Sequence, residues 1–255
     1  VFFFTVVIVV YFNRLGRWLW LLGLLIGYQC LLLYVPYSLP NGEWVAGSLS
    51  FGNNLSAWVD AYVFPKAMVY YQDASPLHFD PEGLLSTLPA IANALAGVLL
   101  GSYLLNSDKD MAGKCRIMAF WGLLAIGLGE LWGLVLPINK ALWTSSYVVM
   151  SSGWAMLVLA GLIWLLDLVK IRAWSAPFVV FGANAIAFYM FSAILARVFI
   201  MVPVGDTSLH GWLYQKGFQP LFGNYNGSLL FAVSFCILCY GVMHYLYKRR
   251  IFLKV

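Results

Sequence analysis

The sequence predicts an all-α fold, a polytopic transmembrane helical bundle with six full spans and a partial first span. Hydrophobic residues make up 62% of the 255 residues and charged residues only 10%, and the mean hydropathy is +0.83. Soluble domains carry roughly a quarter charged residues, so a soluble globular protein is a poor fit, as is a disordered chain. A net charge of +5 in such a composition gives little support for nucleic-acid binding. Apolar runs must be helical in a bilayer because no water satisfies the backbone there.

Seven apolar stretches mark the spans within one predicted membrane domain, residues 1–255. The first has only twelve residues. At about 1.5 Å per residue it is too short to cross a hydrocarbon core of about 30 Å, so it counts as a partial span. The stretches are Val1–Phe12, Trp18–Pro36, Gly83–Leu105, Ile117–Leu136, Ala141–Leu166, Ala176–Phe199 and Leu229–Tyr247.

The orientation follows from the Lys and Arg residues between the spans. One set of connections carries eleven of these cations and the alternate set carries three. Cytoplasmic loops carry the excess, so we expect the C-terminus in the cytoplasm and Val1 toward the outer side. The eleven are Arg14, Arg17, Lys109, Lys114, Arg116, Lys170, Arg172, Lys248, Arg249, Arg250 and Lys254; the three are Lys66, Lys140 and Lys216.

Two outer loops are long, residues 37–82 and 200–228, and long connections tend to be functional. In the first, Leu55, Trp58, Val59, Tyr62 and Val63 recur at helical spacing. This pattern predicts a short amphipathic helix at the membrane interface with Asp60 on its wet face. A helix that merely packs against the bundle is an equally open interpretation.

The segment from His78 to Gly83 holds the densest group of titratable side chains. As structure it predicts a helix start, with Asp80 as N-cap and Pro81 at the first helical position. As function, Asp80 and Glu82 can hold a cationic or hydroxyl-rich substrate, and His78 can exchange protons near neutral pH. Glu130 is the one acid well inside a predicted span, so it is either functional or a neutral structural hydrogen-bonding group.

The other polar residues within the predicted spans are expected to have structural roles. Asn93 and Asn184 are expected to join helices, and Arg197 to reach the outer interface. Cys236 and Cys239 form a C-x-x-C inside an apolar run, which predicts core residues rather than a redox or metal site. Cys30 and Cys115 add no disulfide framework, and no metal site is expected.

Two longer motifs carry a family resemblance. Phe79–Gly101, FDPEGLLSTLPAIANALAGVLLG, and Pro137–Val148, PINKALWTSSYV, resemble hallmarks of the heparan-alpha-glucosaminide N-acetyltransferase family, which includes bacterial transmembrane glucosamine acetyltransferase-like proteins. Pro177-Phe178 followed by Gly182–Ile186 resembles a third, and the stretch from Asn54 to Phe64 lies where the family has a similar one. The resemblance implies that the chain is the C-terminal two-thirds of the family domain. The family's catalytic histidine then lies upstream, and His78 and Glu130 are weak catalytic candidates.

The resemblance implies an integral-membrane enzyme, in a bacterial inner membrane, that moves acetyl from cytosolic acetyl-CoA to an amino sugar or glycan outside. The substrate-binding candidates are Asp80, Glu82, Asn139, Lys140, Trp143, Ser146, Tyr147 and Asn184. The candidates for binding the CoA phosphates are Lys109, Lys114, Arg116, Lys170 and Arg172, although the positive-inside bias also explains them. A transporter or flippase for a sugar or lipid-linked precursor, and a non-catalytic membrane subunit, stay open, as does a homo-oligomer.

Overall fold

The computed structural model describes residues 1–253 and consists almost entirely of helices, which confirms the predicted all-α membrane fold. The chain forms two compact units, Val1–Lys170 and the residues from Ile171 onward. Lys254, counted above among the cytoplasmic cations, lies outside the described residues. The helices of the first unit are α1 (Phe2–Tyr11), α2 (Arg14–Tyr34), α3 (Leu55–Val63), α4 (Thr87–Asn106), α5 (Met111–Gly133) and α6 (Ser145–Ile163).

Five helical segments of the described chain are long and apolar enough to cross a membrane. They are Arg14–Tyr34, Thr87–Asn106, Met111–Gly133, Ser145–Leu168 and Leu209–Lys248. A sixth results if the two helices from Ala173 to Met201 count as one span, but they meet at an angle of 78°. The predicted sixth span is therefore bent or re-entrant, whereas α1 is a short apolar helix of ten residues, as a partial span requires.

Glycines allow the closest helix packing of the first unit, between α5 and α6. A Cβ at Gly153 would lie 2.7 Å from the Gly122 carbonyl oxygen and 2.8 Å from the Ile126 nitrogen. A Cβ at Gly129 would lie 2.7 Å from that of Met150. The two backbones touch because neither side has a side chain there, which is how small residues drive association in lipid. A second contact surface joins α2 and α4 around the buried Leu25 and Leu95.

The 37–82 loop is an ordered cap with its own core, built from Tyr28, Tyr37, Leu55, Leu77 and Phe79. Two short antiparallel pairs, β1 (Tyr37–Ser38) with β2 (Trp44–Val45) and β3 (Leu49–Ser50) with β4 (Asn53–Asn54), precede α3. The predicted short helix is present, and the Asn54 side chain caps it by accepting a hydrogen bond from the Ala57 N–H at 2.8 Å.

The predicted direction of that helix is wrong. Asp60 has 0% exposure, whereas Tyr62 is 81% exposed. The buried face carries Leu55 and Ala57 beside Asp60, so α3 packs against the protein as the open alternative had it. Asp60 turns inward because its carboxylate accepts hydrogen bonds from backbone N–H groups that a dry interior would otherwise leave unpaired.

The predicted helix start at Asp80-Pro81 is also wrong. Residues 80–86 form consecutive turns, and α4 begins at Thr87. Asp80 caps a turn instead of the helix, since its Oδ1 accepts the Glu82 N–H at 2.9 Å. A short carboxylate readily forms such a turn, and here it ends the loop six residues before the helix.

The second unit contains α7 (Ala176–Ala183), α8 (Ala185–Met201), the short α9 (Leu209–Trp212) and α10 (Gln219–Lys248). A strand pair, β5 (Pro203–Val204) with β6 (Thr207–Ser208), joins α8 to α9. The last helix begins ten residues before the predicted start at Leu229 and is interrupted at Gly223, whose φ of 73° suits glycine. The 200–228 loop is therefore largely helical.

Candidate functional site

The two hallmark segments meet at one groove of about 550 Å³ in the first unit, called here the Glu82 groove. Glu82 comes from the 79–101 segment and Trp143 from the 137–148 segment. This volume lies within the range of small-molecule sites. Its polar lining is Glu82, Ser86, Thr87, Asn93 and Trp143, and its apolar lining is Val1, Pro81, Ala90 and Ala94.

Asp60 fixes the turns that carry Glu82 to the groove. Its Oδ2 accepts the Asp80 N–H at 3.2 Å, and its Oδ1 accepts the Leu84 N–H at 3.0 Å. Gly83 lies between these two amides directly against the carboxylate, so close that a Cβ there would overlap it. One buried carboxylate on α3 thus holds both ends of the 80–84 segment.

The surroundings of the Asp60 carboxyl raise its pKa above the usual value. Burial raises the pKa of Asp60, while the hydrogen bonds from Leu84 and Asp80 oppose that rise. The negative charge of Asp80 raises the Asp60 pKa further, and His78 lowers it. Burial is the largest of these effects, so the pKa of Asp60 lies above its usual value.

Trp143 enters the groove from a strained turn. Its φ is 51°, a left-handed conformation that costs a bulky residue about 1–3 kcal/mol. Asn139 holds the turn, because its Oδ1 accepts the Ala141 and Leu142 N–H groups at 2.8 and 3.2 Å. Within the described residues, the buried indole Nε1 of Trp143 has no hydrogen-bond partner. The turn therefore brings the indole ring to the groove wall, while its unpaired Nε1 is buried.

The other predicted substrate residues divide into neighbours of the groove and structural groups. Tyr147 stacks edge-on against Trp143 at 5.3 Å between ring centroids, and Lys140 is exposed on the same turn. Asp80 and Asn139 act through the turns they cap. Ser146 is fully buried, and its hydroxyl donates to the Leu136 carbonyl at 2.6 Å.

Asn184 lies in the second unit, at the bend between α7 and α8. It is fully buried, its Nδ2 donates to the Ile251 carbonyl at 3.0 Å, and its Oδ1 accepts the Leu253 N–H at 2.9 Å. Both hydrogen-bonding ends of the amide are thus used to hold the segment after α10. This placement agrees with the structural role expected for Asn184.

Neither weak catalytic candidate lines the Glu82 groove. His78 is half-buried, with its Nε2 at 3.1 Å from the Phe64 carbonyl oxygen. Glu130 is exposed and lies three residues before the end of α5. That is about 4.5 Å from the helix end, closer than the predicted span implied.

The Glu82 groove lies at the first turn of α4, and the cations predicted to bind CoA phosphates lie near its last turn. We call the four that belong to the first unit the basic end: Lys109, Lys114, Arg116 and Lys170. Lys114 Nζ donates to the Leu104 carbonyl at 2.7 Å, near the last turn of α4, while Thr87 at its first residue lines the groove. The twenty residues of α4 separate the two places by about 30 Å. Lys170 follows α6, and because α6 runs antiparallel to α5, it lies near the start of α5. Arg172 belongs to the second unit, and its carbonyl oxygen accepts a hydrogen bond from the Ser175 hydroxyl.

No group of three His, Cys, Asp or Glu side chains is placed to hold a metal ion among residues 1–253. The four cysteines are free thiols, with Cys115 and Cys239 buried.

Sequence reasoning missed two groove residues, Ser86 and Thr87, and the role of one buried acid. Asn93 was assigned to helix joining, and its Nδ2 does join α4 to α6 by donating to Ser152 Oγ at 3.4 Å, although Asn93 also lines the groove. The spacing of these three residues with Ala90 and Ala94 follows one face of a helix, so the three- and four-residue periodicity could have identified the lining of the groove. The role of Asp60 had no comparable signal, because it depends on amides more than twenty residues away.

Comparison with known proteins relates the chain to one family. It is 28% identical over 201 residues to the heparan-alpha-glucosaminide N-acetyltransferase of Mus musculus and 32% identical over 136 residues to that of Homo sapiens. The matches cover 76% and 51% of this chain. Over these segments the chain is similar to heparan-alpha-glucosaminide N-acetyltransferases. The matched segments span only 28% and 20% of the two relatives, and no family model matches the chain.

The two hallmark segments, which resemble those of the matched relatives, converge in the folded chain. The segments are 36 residues apart in sequence, from Gly101 to Pro137, yet both line one groove. Its lining offers a carboxylate, two hydroxyl oxygens, an amide and an indole ring. These groups suit a small ligand that carries an amine and several hydroxyls.

Proposed function

We propose that this protein is an integral-membrane N-acetyltransferase that moves acetyl from acetyl-CoA to an amino sugar or glycan, with the Glu82 groove as its acceptor site. The observation that carries the proposal is the meeting of the two family segments at the Glu82 groove. Similarity to two N-acetyltransferases supports the reaction class. We further propose a bacterial inner-membrane location with the C-terminus in the cytoplasm, as the distribution of cations predicts.

In this account Glu82 binds the ammonium group of the free amino sugar. An ionised carboxylate at an exposed turn forms a charge-assisted hydrogen bond with an ammonium group, and such bonds are about twice as strong as neutral ones. The Ser86 and Thr87 hydroxyls donate to the Gly83 carbonyl, so their oxygens, with the amide oxygen of Asn93, provide acceptors for sugar hydroxyls. The Trp143 indole supplies an apolar face.

The donor site follows from charge. The basic end provides Lys109, Arg116 and Lys170 for the phosphates of acetyl-CoA, while Lys114 is engaged with the end of α4. The length of α4 puts this end about 30 Å from the Glu82 groove, comparable to the thickness of a hydrocarbon core. The acetyl-bearing arm of the donor therefore has to extend along the protein toward the acceptor.

The reaction breaks the thioester C–S bond and forms a C–N bond to the sugar amine. The amine must first lose its ammonium proton, and nitrogen loses a second proton as the amide forms; the departing thiolate takes up one proton. These transfers need a general base. Glu82 is proposed as a binding residue and not as that base.

The test is a steady-state assay of the full-length protein in lipid nanodiscs, with radiolabelled acetyl-CoA and glucosamine. Glu82→Gln should raise the KM for glucosamine at least about tenfold, since a hydrogen bond to a charged group contributes about 1.5–3 kcal/mol. The KM for acetyl-CoA should stay unchanged. Glu43→Gln is the matched control because Glu43 is an exposed acid on the cap outside the groove. Equal KM values for glucosamine in the two variants would exclude the groove as the acceptor site.

A further inference from the structure

A second groove of about 370 Å³ lies on the cap formed by the 37–82 loop. We call it the Tyr70 groove. It shares no lining residue with the Glu82 groove. Its walls are Phe51, Tyr70, Tyr71, Gln72, Asp73 and Ala74, so rings and polar groups alternate around a small concave surface. Both its size and this mixed lining are typical of a site for a small polar ligand.

The rings of the groove are held in place and still present apolar surface. Phe51 and Tyr70 each pack edge-on against Tyr71, at 5.0 and 4.8 Å between ring centroids. Tyr71 in turn contacts the buried Phe79, which belongs to the core of the cap. Phe51 nevertheless remains 59% exposed and Tyr70 73% exposed. These exposed rings, called here the platform, have negative faces that attract polarised C–H groups.

The polar groups beside the platform are available to a ligand. Within the described residues the exposed Gln72 amide makes no hydrogen bond, so its donors and its acceptor are unused. The Asp73 carboxylate pairs with Lys66 Nζ at 3.1 Å, but its side chain is 96% exposed. Such a surface pair is weak and exchanges readily for another partner.

Together these groups match one ligand chemistry. A pyranose ring has an apolar face of C–H groups that packs on an aromatic ring, and a rim of hydroxyls that bond to amides and carboxylates. A phosphate or sulfate group would meet the Asp73 charge instead. The platform, Gln72 and Asp73 therefore favour a neutral or amine-bearing sugar over an anionic ligand.

One hydrogen bond links this groove to the segment that carries Glu82. The Tyr70 N–H donates to Asp80 Oδ2 at 2.9 Å, and a bridge pairs Tyr71 with Phe79. Asp80 also caps Glu82, two residues further along and within about 7 Å of chain. The two grooves are thus held to the same short segment.

We propose that the Tyr70 groove binds a pyranose ring of an extended glycan, as a second sugar subsite on the cap. That the glycan is also the acceptor rests on the proposed function of the Glu82 groove; the binding itself does not. A second subsite selects a glycan chain over a free monosaccharide because two rings of one molecule are held at once.

The experiment measures binding alone, by calorimetry on the full-length protein in nanodiscs without acetyl-CoA. The probe is the tetrasaccharide of N-acetylglucosamine, which is uncharged. Tyr70→Ala should weaken its binding about tenfold through the loss of one aromatic contact, and Tyr70→Phe should retain most of the affinity. Tyr62→Ala is the matched control, since Tyr62 is an equally exposed ring on the cap outside the groove. It should bind as the unaltered protein does.

Three outcomes would overturn the inference: no binding of the tetrasaccharide, equal affinity in Tyr70→Ala and Tyr62→Ala, or a Tyr70→Ala defect confined to binding of lipid vesicles. Circular dichroism checks that each variant is folded. Failure of this inference is separable from failure of the proposed function. Glycan binding that depends on Tyr70, without acetyl transfer, contradicts only the proposed function; acetyl transfer without such binding contradicts only this subsite.

Discussion

Asp60→Ala should open the turns that carry Glu82. The change removes two hydrogen bonds from backbone amides to an ionised carboxylate, at 3.2 and 3.0 Å. Bonds to charged groups contribute about 1.5–3 kcal/mol each. Two effects reduce the sum: the variant loses the desolvation cost of the buried charge, and water can reach Leu84, whose side chain is 52% exposed. We expect a net loss of about 2–3 kcal/mol in local stability, or about 30- to 150-fold in the opening equilibrium.

Hydrogen exchange of peptides covering residues 78–86 measures this opening directly. Asp73→Ala is the control, because its carboxylate makes only an exposed ion pair with Lys66. An exposed pair contributes about 0–1 kcal/mol, so exchange should rise less than about fivefold. Protection in Asp60→Ala equal to that of the unaltered protein would refute the role of Asp60. An equally large loss in Asp73→Ala would show that the cap responds to any lost acid.

Three further results are expected. Gly153→Ala should lower the Tm through a clash with the backbone of Gly122, whereas Gly161→Ala on the same helix meets no atom within 4 Å and should not; equal Tm values would contradict the close packing of α5 and α6. Because burial raises the Asp60 pKa, its contribution to stability is fully present below the unfolded-state value of about 3.9 and is lost as pH rises through the raised one. Exchange of the 78–86 peptides should therefore slow as pH falls from 7 toward the unfolded-state value of about 3.9, after correction for intrinsic rates, and Asp60→Asn should remove that part of the pH dependence. Trp143→Ala should raise the KM for glucosamine about three- to tenfold with kcat retained, the effect of losing one aromatic contact from the groove wall; an unchanged KM would show that the indole ring does not contact the acceptor.

The membrane fold was predictable because backbone groups in a hydrocarbon core must hydrogen-bond within the chain, so apolar runs of this length form helices. Six apolar runs became the helices that cross or nearly cross a membrane, and the short first run became α1. The bend of 78° at Asn184 was not predictable, since the run is apolar on both sides of it. It depends on an amide that reaches Ile251 and Leu253, which are 67 and 69 residues away.

The candidate site was predictable in its chemistry and less so in its geometry. The sequence indicated Glu82 and Trp143 because each belongs to a motif, and both line the groove. The direction of Asp60 was predicted wrongly, because helical periodicity treats a charged residue as solvent-facing. Its burial follows from the amides of the 80–84 segment, which need an acceptor inside the cap.

The hydroxyls of the Pro137–Val148 motif illustrate the same limit. Thr144, Ser145 and Ser146 are all fully buried. Ser145 donates to the Leu25 carbonyl at 2.7 Å and Ser146 to the Leu136 carbonyl. A motif identifies residues that a fold needs together, and it does not separate those that bind a ligand from those that hold the turn. Here the turn residues position Trp143.

The central claim is acetyl transfer to an acceptor held in the Glu82 groove. The most direct measurement is the glucosamine dependence of acetyl transfer from radiolabelled acetyl-CoA, in parallel for the full-length protein, Glu82→Gln and Glu43→Gln. The account predicts saturable transfer, with the KM for glucosamine raised at least about tenfold only in Glu82→Gln. No transfer to any amino sugar, or the same KM in all three proteins, would contradict it.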